Sequence, residues 1–398
     1  MVNRSRFNRV RYDVLVVGAR CAGAAAAMLM ARCGLKVLVI DRGRYGADTI
    51  STHALMRGGV MQLHRWGLLP RIVAAGTPAV RTTEFHYGED VVQVEIRPQH
   101  GVEALYAPRR TQLDRTHVDA ARAAGAEVRH GYTLTALVRR PDDRVSGAVV
   151  LDEDGQPIEV TADLVVGADG IGSTVARLAG ARVKWEGRYA TTVVYGHYRD
   201  LRAAGYTWYY REGIGAGVIP TNGGAHCVFV AVPPARFRDE IRHDLAAGYG
   251  RALAAVSAPL AADIASSRIE GELAIFAGRR GFLREAWGPG WALVGDAGYF
   301  KDPLTAHGMT DALRDAELIA AAAEQGSSTA FAEYAAQREE LSRTLFEVTD
   351  AIASFNWNLE TVRRQHLELN TAMKHEAEYI ARLRPLGTDS RYWQEKAA

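Results

Sequence analysis

Residues Tyr12–Asp41 read YDVLVVGARCAGAAAAMLMARCGLKVLVID, and no other stretch restricts the fold as strongly. Tyr12–Val17 is a short apolar run that stops at Gly18. Cys21–Cys33 is rich in alanine, the best helix former, and Lys36–Ile40 is a second apolar run closed by Asp41. The pattern predicts strand, turn, helix, strand. Gly18 and Gly23 occupy the first and last glycine positions of a G-x-G-x-x-G turn, with Ala22 next to the latter. Asp41, followed by Arg42, stands near the distance at which a carboxylate holds a ribose hydroxyl. Such a unit takes a dinucleotide pyrophosphate at the helix N-terminus, where free N–H groups and the helix dipole favour an anion. The middle glycine position holds Arg20. Two roles stand open for it: pointing away from a slightly looser approach, or reaching round to bond a phosphate.

A chain of 398 residues has room for two domains or one large α/β domain with an insertion. A net charge of only +2 argues against a nucleic-acid binder. The one basic cluster, Arg4, Arg6, Arg9 and Arg11, reads as a solvated tail before the first strand. Cys21, Cys33 and Cys227 have no metal-ligand spacing and cannot all pair, which suits a reducing cytoplasm. No apolar run reaches the roughly 18 to 20 residues that span a bilayer, so no integral membrane segment is expected. The chain also lacks H-E-x-x-H, G-x-S-x-G and P-loop motifs, and no metal site is expected.

Downstream of Asp41, a polar loop (Arg42–Thr52) leads to a helix expected from His53 to Trp66, and Val80–Arg97 suits a hairpin around Gly88. Arg110–Ala124 has helical spacing. Short strands follow at Ala126–His130, Thr133–Val138, Ser146–Leu151 and Ile158–Val160. From about Arg182 to Ala286 the composition shifts to strands dense in tyrosine and tryptophan, a helix over Phe237–Val256, and strands around Ile269–Phe276. Helices are expected from Gly308 through Arg382. The resulting fold class is α/β: a Rossmann-type first domain (1–181 and 287–327), an inserted α+β domain (182–286) and a C-terminal helical region (328–398).

Two further stretches repeat the logic of a strand running into glycine and aspartate. One is Leu164–Arg177, LVVGADGIGSTVAR; the other is Trp291–Asp315, WALVGDAGYFKDPLTAHGMTDALRD. Taken in order and at these distances, the three stretches resemble the p-hydroxybenzoate-hydroxylase-like class of FAD-dependent oxidoreductases, the group A flavoprotein monooxygenases with their geranylgeranyl-reductase and flavin-halogenase relatives. The resemblance covers most of Tyr12–Leu318. It implies FAD, with Gly18 and Gly23 at the pyrophosphate, Asp41 at the adenosine ribose and Arg110 on the ribityl or phosphate. It further implies that Asp169 supports the pyrophosphate region and Asp296 holds a ribityl hydroxyl, with Pro303 in the loop that follows. The free N–H groups of Gly308, Met309 and Thr310 would face the flavin edge that becomes negative on reduction.

Tyr299, Thr305 and His307 depart from the usual residues of this loop. His307 is the titratable group expected beside the flavin, as proton donor or orienting group, against the alternative of a loop histidine bonded to backbone. Tyr299 and Arg57 are weaker candidates, and Arg314 and Asp315 are expected to decorate a helix face.

Tyr189, Tyr195, Tyr198, Tyr206, Trp208, Tyr209 and Tyr210 crowd one short region. They either line an apolar pocket for a flat substrate or pack their sheet against its helix. Gly213–Gly217 lacks nucleotide-loop spacing and runs into Val218-Ile219-Pro220, so electrons must come from transient NAD(P)H or from reduced flavin made by a partner reductase. The resemblance implies a monooxygenase that uses dioxygen, through a flavin C4a-hydroperoxide, on a small aromatic or polycyclic substrate. A hydride-transferring reductase or dehydrogenase of the same fold and a non-catalytic flavin-binding protein are the rivals. The C-terminal helices carry Leu345, Ile352, Phe355 and Leu359 at the spacing of one apolar face, which suits a monomer or a homodimer.

Overall fold

The computed structural model describes residues 11–387; the basic residues Arg4, Arg6 and Arg9 lie outside the described residues. β1 (Arg11–Val17), α1 (Cys21–Arg32) and β2 (Val37–Asp41) form the expected strand, helix, strand unit. Gly18 has φ +107°, and a Cβ there would lie 2.3 Å from the carbonyl oxygen of Ala168. A Cβ on Gly23 would lie 1.9 Å from the carbonyl oxygen of Gly18. Only glycine allows this turn and the seating of the helix on it. Ala24–Ala27 are all buried, so α1 is covered on every side, as its small apolar residues require.

α2 (Arg57–Arg65) starts later than His53, because His53 takes a left-handed backbone (φ +69°) and Leu55 makes a bridge to Tyr106. After α3 (Leu69–Ala74), β3 (Thr82–Tyr87) and β4 (Asp90–Glu95) form the hairpin, with Gly88 at φ +63°. α4 (Arg110–Ala123) is followed by β5 (Glu127–His130), β6 (Thr133–Arg139) and β7 (Val145–Leu151). β8 (Pro157–Gly167) is one strand where the sequence suggests two, because Thr161 and Ala162 continue its pairing with β1. α5 (Thr174–Ala179) is capped by Ser173.

β9 (Val183–Glu186), β10 (Thr192–Tyr198), β11 (Tyr206–Arg211), β12 (Ile214–Pro220) and β13 (His226–Val232) follow. The glycine-rich run is therefore strand, and the missing side chain at Gly217 admits the Phe229 ring, which a Cβ would meet at 2.5 Å. The single helix expected over Phe237–Val256 is divided. After α6 (Pro234–Arg236) comes a π-turn at Phe237–Ile241, and then Asp244 starts α7 (Leu245–Val256) by accepting from Ala247 N at 3.1 Å. Ser257 caps a further helix, α8 (Ala258–Ser266). Short strands β14 (Ile269–Phe276), β15 (Phe282–Arg284), β16 (Trp287–Gly288), β17 (Trp291–Leu293) and β18 (Tyr299–Phe300) lead to α9 (Gly308–Gln325), α10 (Ser328–Ala353) and α11 (Leu359–Arg382). Leu345 and Ile352 of α10 are wholly buried in the main core.

The eight-stranded sheet has the order β16-β17-β8-β1-β2-β5, extended by β7 on β8 and β6 on β7. β17, β8, β1, β2 and β5 run parallel, with Leu15 opposite Val165 and Val16 opposite Val39. Gly295-Asp296, Gly167–Gly170, Gly18 and Asp41 thus fall at the carboxyl ends of four neighbouring strands, the edge where open α/β sheets bind ligands. The second sheet has the order β14-β10-β13-β12-β11-β3-β4 and draws two strands from the hairpin at 82–95 as well as those between 192 and 276. Tyr198 and Tyr209 pack on its α7–α8 face, whereas Tyr195, Tyr206, Trp208 and Tyr210 join the core shared with α1 and α9. Among the described residues, no helix is long and apolar enough to cross a membrane.

Candidate cofactor and active site

The turn after β1 is tied to its neighbours by backbone bonds: Gly18 N donates to Ile40 O at 2.8 Å and Ala168 N to Val17 O at 2.8 Å. Asp41 closes β2 with both oxygens engaged, accepting from Ala19 N at 2.7 Å and from Gly43 N at 2.6 Å. Arg42 beside it is exposed. Arg20, the N-cap residue of α1, reaches over the following loop: its Nη2 donates to Asp48 O at 3.4 Å, while its Nη1 is buried without a partner.

Arg110 opens α4 and is fixed by Asp114 one helical turn on, with Nη2 3.1 Å from each carboxylate oxygen. Asp114 also accepts from Cys21 N at 3.1 Å, joining α4 to the first turn of α1, and burial pushes the Cys21 thiol up to about 11. Ala22 is buried and would stand 3.0 Å from a Cβ at Gly295, whose φ of +54° already calls for glycine. Asp169 is committed to the start of α5, accepting from Ser173 Oγ at 2.5 Å and from Thr174 N at 2.6 Å. Burial and the nearby Asp311 push the Asp296 carboxyl up to about 6, against the pull of Arg110 and Lys301.

Asp302 shapes the loop before α9. It accepts from Thr191 N and Thr191 Oγ1, both at 2.7 Å, and from Leu304 N at 3.0 Å; burial pushes it up to about 6 in spite of these bonds. Pro303 starts a 3₁₀ turn there, and Ala306 takes a left-handed backbone (φ +51°) just before His307. Thr305 Oγ1 meets Thr349 Oγ1 at 3.2 Å. Tyr299 is enclosed, and its hydroxyl donates to Ser342 O at 3.2 Å. Arg57 spends its guanidinium on the carbonyls of Arg97 and Val102.

Arg314 and Asp315 do not decorate a surface: both are fully buried. They belong to an enclosed charge cluster with Lys301, His307, Asp311 and Glu376. Arg314 Nη1 lies 2.8 Å from Glu376 and 3.2 Å from Asp311, its Nη2 lies 2.8 Å from Asp315, and Lys301 pairs with Asp311. His307 Nε2 is 2.6 Å from Glu376 Oε2. Only the Nδ1 face of the imidazole is left, and Nδ1 is buried without a partner. His307, Asp311 and Glu376 are close enough to share a cation, but Lys301 and Arg314 already supply that charge.

The second sheet meets this region through the loop before α2. Ser51 N donates to Tyr195 Oη at 3.1 Å, and His53 Nε2 lies 2.9 Å from His197 Nε2. Gly58 and Gly59 pack against Thr310 in the first turn of α9, and a Cβ on Gly215 of β12 would stand 3.5 Å from Leu304 of the proline loop. The aromatic face of the sheet therefore borders the N-terminus of α9.

These residues fit a flavin dinucleotide. Gly18 and Gly23 keep the phosphate turn bare, and Arg20, the residue that precedes α1, keeps its Nη1 without a partner. At the other end Gly308 is exposed, the nearest atom to a Cβ there being Asp296 Oδ1 at 4.0 Å, while His307 Nδ1 and Thr310 Oγ1 stand buried without partners. Sequence reasoning missed Asp114, Lys301, Asp302, Asp311, Glu376 and the two histidines. Of these, Asp114 carried a local signal in its i,i+4 spacing from Arg110, and Asp311 in its spacing of four from His307 and three from Arg314.

A parallel sheet with a dinucleotide turn, a helix N-terminus opening on free donors and a second sheet alongside define a flavin-dependent oxidoreductase. The model of the FAD binding domain family matches residues 11–349, and the chain belongs to that family. Its sequence is 33% identical over 175 residues to digeranylgeranylglycerophospholipid reductase of Methanosarcina mazei, 43% of this chain and 40% of that enzyme. It is 28% identical over 348 residues to menaquinone reductase of Mycolicibacterium smegmatis, 80% of this chain and 78% of that enzyme. Among solved structures, the flavin-dependent brominase Bmp2 superposes with a TM-score of 0.77 at 20% identity, covering 94% of this chain and 93% of its own. PqsL of P. aeruginosa, in complex with 2-aminobenzoylacetate, gives 0.75 at 20% identity over 92% of this chain and 100% of its own. At such identities the superpositions speak for the fold. The chain spans well under half the length of the first curated relatives it matches.

Proposed function

We propose that this chain is an FAD-dependent monooxygenase acting on a small aromatic or polycyclic substrate. The observation that carries the reading is the meeting of the α9 N-terminus, with its unpartnered His307 Nδ1, and the sheet face bearing Tyr195, Tyr206, Trp208 and Tyr210. Gly18, Arg20, Ala22 and Gly23 would hold the pyrophosphate, Asp41 and Arg42 the adenosine end, and Arg110, Asp169, Asp296 and Pro303 the stretch between. Bound FAD would supply the two-electron chemistry and, once reduced, the means to activate dioxygen.

The chain's own part is placement and charge. The N–H groups of Gly308, Met309 and Thr310 lack intrahelical acceptors and would meet the negative charge that grows at the pyrimidine edge. His307, braced by Glu376 at Nε2, would offer its unpartnered Nδ1 to the same space. The aromatic face would lay a flat substrate against the ring and keep water out. Reducing equivalents would come from NAD(P)H or from reduced flavin supplied by a separate reductase.

A second reading, reduction of a substrate double bond or quinone by hydride transfer, is favoured by the names of the relatives at 33% and 28% identity, both reductases. Turnover of a panel of phenols, polycyclic aromatics, isoprenoids and quinones under ¹⁸O₂, with NADPH or externally reduced flavin, separates the two. A product heavier by one labelled oxygen supports oxygenation. A product heavier by two hydrogens, formed equally well without dioxygen, overturns it in favour of reduction.

A further inference from the structure

We propose that His53 and His197 form a two-imidazole proton relay joining the space in front of α9 to the outer part of the second sheet. The inference rests on the proposed flavin site, which fixes the end of the relay that does work. The Nε2 atoms are 2.9 Å apart, so one ring donates there and the other accepts. A proton taken up at the outer nitrogen of one ring can then be released from the outer nitrogen of the other. The inner end is His53, 1% exposed, whose Nδ1 is buried without a partner. The outer end is His197, half-buried on β10 opposite Glu270 of β14.

His53 is held where it is at a cost. Its left-handed backbone (φ +69°) is unusual for a histidine, and the bonds from His53 N to Ser51 Oγ (3.0 Å) and from Ser51 N to Tyr195 Oη keep it there. The segment that carries His53 runs from Asp48, which accepts from Arg20, to α2, whose Gly58 and Gly59 pack on Thr310 in the first turn of α9. The charged and titratable groups around the pair are Arg109 and Arg110 at the start of α4, Tyr195 on β10, Asp48 in the loop, Glu270 on β14 and, next to Tyr195, Cys227 on β13. Burial, then His197 and the two arginines, hold His53 well below the ordinary imidazole range, and burial with Arg109 brings His197 down to about 4. Near neutral pH both rings are uncharged, and a proton crosses them without resting there.

Two measurements test the relay. Nitrogen-15 NMR of histidine-labelled, FAD-free protein should show one of the two Nε2 atoms protonated and the other bare, with neither ring titrating between about pH 5.5 and 8. Two rings titrating independently near 6.5 would overturn it. The second is reoxidation of reduced FAD-loaded protein by dioxygen. Two electrons pass from the reduced flavin anion to O₂, and its N–H proton and one proton from solvent complete hydrogen peroxide. In weakly buffered indicator solution, proton consumption should keep step with flavin absorbance in the wild type. In His197→Ala and His53→Gln it should lag about tenfold or more, and added imidazole should restore His197→Ala. Consumption in step with the flavin in both variants would refute the relay. Failure of the protein to take up FAD would instead refute the flavin site, and the NMR result would still decide the pair.

Discussion

Replacing Glu376 by alanine removes a carboxylate that is 1% exposed and accepts from His307 Nε2 at 2.6 Å and Arg314 Nη1 at 2.8 Å. Breaking a buried ion pair from one side typically costs about 3–5 kcal/mol, because the abandoned partner stays buried with its charge uncompensated. Arg314 keeps Asp311 and Asp315, which places the expected loss near 3 kcal/mol, a substantial part of the roughly 5–15 kcal/mol that holds a domain together. Glu376→Gln retains one acceptor oxygen and should lose about 1.5–3 kcal/mol, the value of hydrogen bonds to charged groups. Equilibrium urea unfolding of wild type and both variants at neutral pH measures this order directly.

The pH dependence fixes the sign independently. Burial pushes the Glu376 carboxyl up, but His307, Arg314 and Lys301 outweigh it and hold the group below the ordinary carboxylate range. Its contribution is therefore present above about pH 4.3 and is lost as pH falls through the depressed value, so the gap between wild type and Glu376→Ala must close on acidification. An alanine variant within about 0.5 kcal/mol of wild type at pH 7, or a gap that widens in acid, would refute the view of Glu376 as the brace of the cluster.

Gly23→Ala places a methyl carbon 1.9 Å from Gly18 O, so FAD retention after desalting, read by flavin absorbance, should fall at least about 100-fold in affinity while β2 and β8 stay paired with β1. Arg20→Gly restores the usual middle glycine yet removes the free Nη1 donor, so FAD affinity measured by fluorescence titration should weaken about tenfold and lose part of its salt dependence. The carboxyl of Asp302 is raised from 3.8 to about 6 by burial, so its contribution to stability is present below the unfolded pKa and is lost as pH rises through about 6. Relative to Asp302→Asn, the wild type should therefore lose about 2 kcal/mol of advantage between pH 4 and pH 7 in thermal or urea unfolding.

The parts of this fold that the sequence announces are those whose cause is local. Gly18 and Gly23 are demanded by the backbone itself, and alternating aromatics on β11 follow from a period of two. Boundaries fail where a non-local contact intervenes: α2 gives up its first turn because Leu55 pairs with Tyr106, and β8 runs on through Thr161 because β1 offers it a partner. Arg314 and Asp315 look like ordinary surface charges until Glu376, contributed by α11, comes to meet them. The His53–His197 contact likewise joins a loop to a strand 144 residues on, a distance that no spacing rule spans.

The loop from Arg42 to Thr52 touches the phosphate turn through Asp48 and the second sheet through Ser51. A strap fastened at both ends makes two binding equilibria answer to each other: whatever free energy a substrate gains by pressing the strap onto Tyr195, FAD gains in equal measure. On the proposed function, FAD should then survive desalting better with substrate present than without it.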